Sequence, residues 1–201
     1  MLIEIEKKSK TYQFEANPGE KILHAGLRAG IPLPFECATG TCGSCKARVH
    51  QGDVDEGWPQ APGKEHFKAE KREILMCQCV AQSDCNLSVP TKIAAFREDD
   101  INPDHHLGLI TQYQKLTSDV LRFEVTLPHD MTFHAGQFVV LQVPEVDGFR
   151  AYSMVNYVSA TNTLEFIIKQ NPRGALSKWA FDADRSNQEI QVFGPLGHAS
   201  F

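Results

Sequence analysis

Apolar and polar positions alternate twice within the first fifteen residues. Ile3 and Ile5 alternate with Glu4 and Glu6, then Tyr12 and Phe14 with Thr11 and Gln13, around a basic "KKSK". A period of two predicts a hairpin with one buried face. In "NPGEKILHAGLRAG" the period changes. Ile22, Leu23 and Leu27 fall at helical spacing after a Pro18–Gly19 turn, and Gly30 supplies a stop. "CKARVHQGDV", "EILMCQCVAQSD" and "NLSVP" follow as short strands, interrupted by a polar insert, "DEGWPQAPGKEHFKAEKR". Hairpin, helix and further strands predict a small α+β domain over residues 1–90.

Residues 91–106 carry a charge run, Pro103 and little periodicity, and read as a linker. From 107 to 201 the pattern is that of strands. Leu121, Phe123, Val125 and Leu127 alternate with Arg122, Glu124 and Thr126, and "GQFVVLQVP", "FRAYSMVNYV", "TLEFIIKQ" and "QEIQVFGP" follow at strand length. One helix is expected among them, "GALSKWAFD", with Leu176, Trp179 and Ala180 on one face. Many short strands at this spacing predict an antiparallel barrel or sandwich.

Charge adds mainly exclusions. The net charge of −5 comes with no block of like residues, so no nucleic-acid footprint is expected. No apolar run approaches the ~18 residues of a membrane span, and the start lacks the apolar core of a secretory signal. A soluble, cytoplasmic protein without a membrane partner is the expectation.

The six cysteines, Cys37, Cys42, Cys45, Cys77, Cys79 and Cys85, all lie in the first half. Without an export signal, metal ligation or redox chemistry is a better account of them than a disulfide scaffold. "CATGTCGSC" has the C-x4-C-x2-C spacing of plant-type [2Fe–2S] sites, which Cys37, Cys42 and Cys45 fill. Gly40 and Gly43 allow a loop to wrap closely around a negatively charged cluster. By spacing alone the fourth ligand is Cys77, Cys79 or Cys85. A zinc knuckle of Cys42, Cys45, Cys77 and Cys79 would leave Cys37 unexplained. A Rieske centre needs two histidines near its cysteines, and no C-x-H pair occurs.

The run "ECATGTCGSCKARV…LMCQCVAQSD" resembles the plant-type ferredoxin domain of bacterial oxygenase reductases. The resemblance implies a β-grasp domain whose fourth ligand is the first cysteine of "L-x-C-x-C", here Cys77, leaving Cys79 and Cys85 as buried thiols. "WPQAPG" is also similar to reductases of ring dioxygenases and toluene-type monooxygenases, although a surface loop accounts for it better. In the second half, "RAYS" resembles the R-x-Y-S motif of the ferredoxin–NADP reductase family's flavin barrel, and "GALS" its G-x-x-S.

What this implies is an α+β β-grasp ferredoxin domain followed by an all-β antiparallel FAD-binding barrel. Arg150 would offer a cation to the flavin phosphate, Tyr152 a ring to the isoalloxazine, and Ser153 a hydroxyl or N–H to its N5. Gly174, Ala175 and Ser177 would hold the pyrophosphate at a helix start. The implied activity is that of an NAD(P)H-dependent oxidoreductase, passing electrons from FAD through the cluster to an oxygenase component or its separate ferredoxin. The alternative is a stand-alone electron shuttle or redox sensor. No G-x-G-x-x-G follows a strand, so the nicotinamide-binding domain of such reductases is expected to be missing from this chain.

Overall fold

A computed structural model describes residues 1–95, 100–158 and 160–197. Within it the chain divides into two compact units, Met1–Asn102 and Pro103–Phe201.

In the first unit, β1 (Leu2–Lys7) and β2 (Lys10–Glu15) form the antiparallel hairpin that the alternation predicts, with Ile3, Ile5 and Phe14 buried. Beyond β2, α1 (Ile22–Arg28) buries six of its seven residues, because it packs on the sheet and is wrapped by the following loop. Gly30 ends it at φ +76°, its N–H bonded to Leu27 O, a conformation that costs glycine little. Packing here is tight. A Cβ on Gly26 would come within 2.3 Å of Leu33 Cδ1.

The remaining strands are β3 (Lys46–Gln51), β4 (Val54–Asp55), β5 (Glu73–Leu75), β6 (Val80–Ala81) and β7 (Cys85–Ser88). The sheet order is β2-β1-β7-β3-β5, with β1 and β7 parallel and the other neighbours antiparallel, while β4 and β6 pair separately. A helix held across such a mixed sheet is the β-grasp arrangement.

Of the segment 91–106 expected as a linker, Ile93 is buried, residues 96–99 lie outside those described, and Asp104–His106 already belong to a strand. That strand, β8 (Asp104–Lys115), opens the second unit and has no counterpart in the sequence reading. Its middle shows why. Gly108 and Ile110 are its only two buried residues, and a Cβ on Gly108 would sit 2.4 Å from Val125 Cγ1. A glycine required by close packing carries no hydrophobic signal.

The other elements are β9 (Val120–Met131), β10 (Phe138–Gln142), β11 (Arg150–Ser153), β12 (Thr161–Lys169), α2 (Ala175–Asp182) and β13 (Glu189–Leu196). They form one antiparallel sheet in the order β11-β10-β13-β8-β9-β12. Its two ends meet. Past β11, Val155 N–H donates to Glu165 O (2.8 Å), and the Asn156 amide donates to Thr163 O (2.7 Å) and accepts from Glu165 N–H (2.9 Å). The sheet thus curls into a barrel around Phe123 and Phe166, stacked 5.1 Å apart, and α2 buries Leu176, Trp179, Ala180 and Phe181 against the same core.

Candidate functional site

The cysteine loop cannot follow a regular path, since three of its residues have positive φ: Ala38 (54°), Gly40 (86°) and Gly43 (81°). The turns point N–H groups at sulfur. Thr39 N–H reaches Cys37 Sγ (3.4 Å) and Ser44 N–H reaches Cys42 Sγ (3.5 Å). The loop is anchored at its end, where Met76 N–H donates to Cys45 O.

Across from it, residues 76–79 are pinned to the start of α1. Leu23 N–H donates to Met76 O and Ile22 N–H to Cys79 O, satisfying donors that a helix leaves open at its N-terminus. This places Cys77 against the loop, with Cys45 Sγ donating to Cys77 Sγ at 3.2 Å. The Gln78 amide donates to Cys77 Sγ at 3.5 Å, and Gln78 is itself buried.

The sulfurs fall into two pairs. Cys45 and Cys77 are buried, and their shared proton pushes the Cys45 thiol up while holding Cys77 below its ordinary value. Cys37 is half-buried and hydrogen-bonded by Cys42, which is exposed. Burial raises the Cys37 thiol, but hydrogen bonds from Thr41, Thr39 and Cys42 outweigh it and lower it to about 6. Cys79 is also buried, and burial pushes it up to about 12. Cys85 lies away from the loop, its thiol bonded to Ser83 O and Asp53 O.

Two thiol pairs, N–H groups turned toward sulfur and a tight loop with positive φ at Gly40 and Gly43 fit a two-iron cluster, which would take two thiolates at each iron. One zinc ion held by Cys42, Cys45, Cys77 and Cys79 would leave out Cys37, which Cys42 hydrogen-bonds.

In the second unit, Arg150 and Tyr152 lie on one face of β11, opposite Leu141 and Val139 of β10. Tyr152 is partly buried against the barrel core, and burial raises its hydroxyl above the ordinary value. Arg150 Nη1 donates to Phe149 O (2.9 Å) and Asp147 O (3.2 Å), which fixes the guanidinium over its own turn, while Ser153 is exposed. Gly174 caps α2 in an extended conformation and Ala175 is its first residue.

Ser177 differs from a ligand with a free hydroxyl. It is 5% exposed, and its Oγ accepts from Asn171 N–H (2.6 Å) and donates to Asn171 O (3.3 Å). The hydroxyl closes the 171–174 turn, which leaves the first-turn N–H groups as the polar atoms offered outward.

Two family models match the chain: "2Fe-2S iron-sulfur cluster binding domain" over residues 5–82 and "Oxidoreductase FAD-binding domain" over residues 107–201. The ferredoxin–NAD(+) reductase component of an alkene monooxygenase system from Xanthobacter autotrophicus is 34% identical over 187 residues, 92% of this chain and 56% of the relative. A ferredoxin–NAD(P)(+) reductase from Metapseudomonas resinovorans is 33% identical over 91% of this chain and 56% of its own length. Among solved structures, the ferredoxin reductase in carbazole 1,9a-dioxygenase superposes with a TM-score of 0.83 at 31% identity, covering 98% of this chain and 60% of that one.

Residues 5–82 are thus a 2Fe-2S iron–sulfur cluster binding domain and residues 107–201 an oxidoreductase FAD-binding domain, and [2Fe–2S] and FAD are the cofactors of these domains. It spans little more than half the length of the curated relatives it matches. No helix among the described residues is long and apolar enough to cross a membrane.

Proposed function

We propose that the chain is the electron-transfer part of an NAD(P)H-dependent reductase serving an oxygenase system. Cys37, Cys42, Cys45 and Cys77 hold the cluster, and Arg150, Tyr152, Ser153 and the Gly174–Ser177 turn hold FAD. The observation that carries this reading is the meeting of Cys45 and Cys77 at 3.2 Å. It rests further on the names of relatives, which are electron-transfer components of monooxygenase and dioxygenase systems.

A bound FAD would supply two-electron hydride chemistry toward a nicotinamide donor, and a bound [2Fe–2S] cluster would supply one-electron chemistry. The residues supply position and field. Arg150 offers its remaining N–H groups to a phosphate, while the ring of Tyr152 presents an apolar face beside it. The first turn of α2 gives backbone N–H groups and the positive end of its dipole to the pyrophosphate. In the first unit, Thr39, Ser44 and Gln78 donate to sulfur and favour its negative charge. Exposed Cys42 puts one edge of the site at the surface, where an oxygenase component or its separate ferredoxin can approach.

The test uses the protein as its gene encodes it, under anaerobic conditions. NADH or NADPH is expected to bleach the flavin band in both the wild type and Cys77→Ser, and the cluster band in the wild type alone. Failure of both nucleotides to reduce the wild-type flavin would overturn the reading.

A further inference from the structure

The insert between β4 and β5 touches both segments that carry the cluster cysteines, and it does so through glycine backbone. Gly63 N–H donates to Gly40 O at 2.9 Å. A Cβ on Gly63 would stand 2.7 Å from Gly43 N and 2.9 Å from Gly40 O, and a Cβ on Gly43 would stand 2.9 Å from Gly63 O. Contacts that short do not occur, so the two chains meet with no space for a side chain.

At the other end of the insert, a Cβ on Gly57 would lie 2.8 Å from Gln78 O, and the same carbonyl accepts from Lys21 Nζ at 2.7 Å. Glu56 and Lys64, next to the two contact glycines, form an ion pair with each other. Ala61, between them, is buried. The stretch 56–64 is therefore a closed bracket. One foot stands on the Cys37–Cys45 loop and the other on the Cys77–Cys79 segment.

We propose that this bracket sets the spacing of the two cysteine segments, with Gly63 as its positioning residue: it keeps the sulfurs at the separation the cluster needs and slows their parting. The inference rests on the ligand set proposed above. Gly63 is the informative position because, unlike Gly40, Gly43 and Gly57, its φ is not positive. Alanine there pushes the bracket and the cysteine loop apart without also placing a side chain at a positive φ.

The experiment compares wild type, Gly63→Ala, Glu56→Gln, Gln60→Ala and Cys77→Ser. Cluster loss in air with an iron chelator is followed by the visible cluster band, and the dithionite-reduced cluster is examined by electron paramagnetic resonance. Flavin content and far-ultraviolet circular dichroism report the rest of the fold. Gly63→Ala is expected to lose its cluster several-fold faster than wild type and to show an altered resonance line shape, with flavin content and dichroism unchanged. Glu56→Gln, which opens the ion pair without touching the backbone contacts, should show a smaller acceleration in the same direction. Exposed Gln60 lies in the same insert, and Gln60→Ala should behave as wild type.

Wild-type loss rate and line shape in Gly63→Ala would overturn the proposal. If Gly63→Ala does not fold, a wild-type loss rate in Glu56→Gln overturns it instead. Cys77→Ser separates the two readings: a full [2Fe–2S] content there overturns the ligand set, whereas cluster loss in Cys77→Ser beside an unchanged Gly63→Ala overturns the bracket alone.

Discussion

Cys45 and Cys77 are thirty-two residues apart in sequence, yet their sulfurs lie 3.2 Å from each other and both side chains are buried. Cys79 is as buried as Cys77, but its thiol bonds to none of the other cysteines and is pushed up to about 12 by that burial. Cys77→Ser is therefore expected to abolish a stable [2Fe–2S] centre, and Cys79→Ser to retain it. Iron and acid-labile sulfide analysis checks both variants. The reverse pattern would move the fourth ligand to Cys79.

Arg150 predicts a selective loss of flavin. Its guanidinium is fixed by two carbonyls of its own turn and keeps further donors for an anion. Removing a charged hydrogen-bond donor costs about 1.5–3 kcal/mol, so Arg150→Ala should weaken FAD binding by about ten- to a hundredfold. Fluorescence of released flavin measures this. Lysine, lacking the planar fork, should restore only part of the affinity.

One side chain shares in closing the barrel with the backbone bond from Val155 N–H to Glu165 O. Asn156 both donates to Thr163 O and accepts from Glu165 N–H, joining the run after β11 to β12. Asn156→Ala removes both bonds and should destabilise the FAD-binding unit by about 1–2 kcal/mol. Thermal flavin release should come earlier, while the cluster spectrum is unaffected.

Acid should weaken the same region. Arg122 Nε lies 2.6 Å from Glu165 and Nη2 lies 2.8 Å from Glu124. The hydrogen bond from Arg122 holds the Glu165 carboxyl below its ordinary value. A depressed carboxylate contributes stability in full above its unfolded value and loses it as pH falls through the folded one. Stability of this unit should therefore decline on acidification below the ordinary carboxylate range. The decline should be shallower in Arg122→Gln, as measured by urea midpoints across that range. Both groups are partly exposed, so salt should reduce the difference.

What could be read before folding was whatever spacing encodes. The x4 and x2 intervals of Cys37, Cys42 and Cys45 state their own chemistry, and the alternation over Leu121–Leu127 states a half-buried strand. Strand β8 was not legible, because close packing at Gly108 replaces the apolar residue that would have marked it. Ser177 shows a different limit. Its place at a helix start marked it for the pyrophosphate, but only the fold reveals that its hydroxyl is bonded to Asn171 on both sides. The insert "WPQAPG" read as a surface loop. Its contact with Gly40 and Gly43 is made by backbone atoms, which leave no pattern in side chains, and a Pro–Gly pair is equally at home in any turn.

The central claim is that the first unit holds a two-iron cluster on paired cysteines and the second holds FAD. Its most direct test is metal, sulfide and flavin analysis of anaerobically purified protein, combined with a dithionite titration followed in the visible range. The account predicts two irons, two acid-labile sulfides and one FAD per chain, with both sets of bands bleaching. Zinc without sulfide, or a chain that retains no flavin, would contradict it.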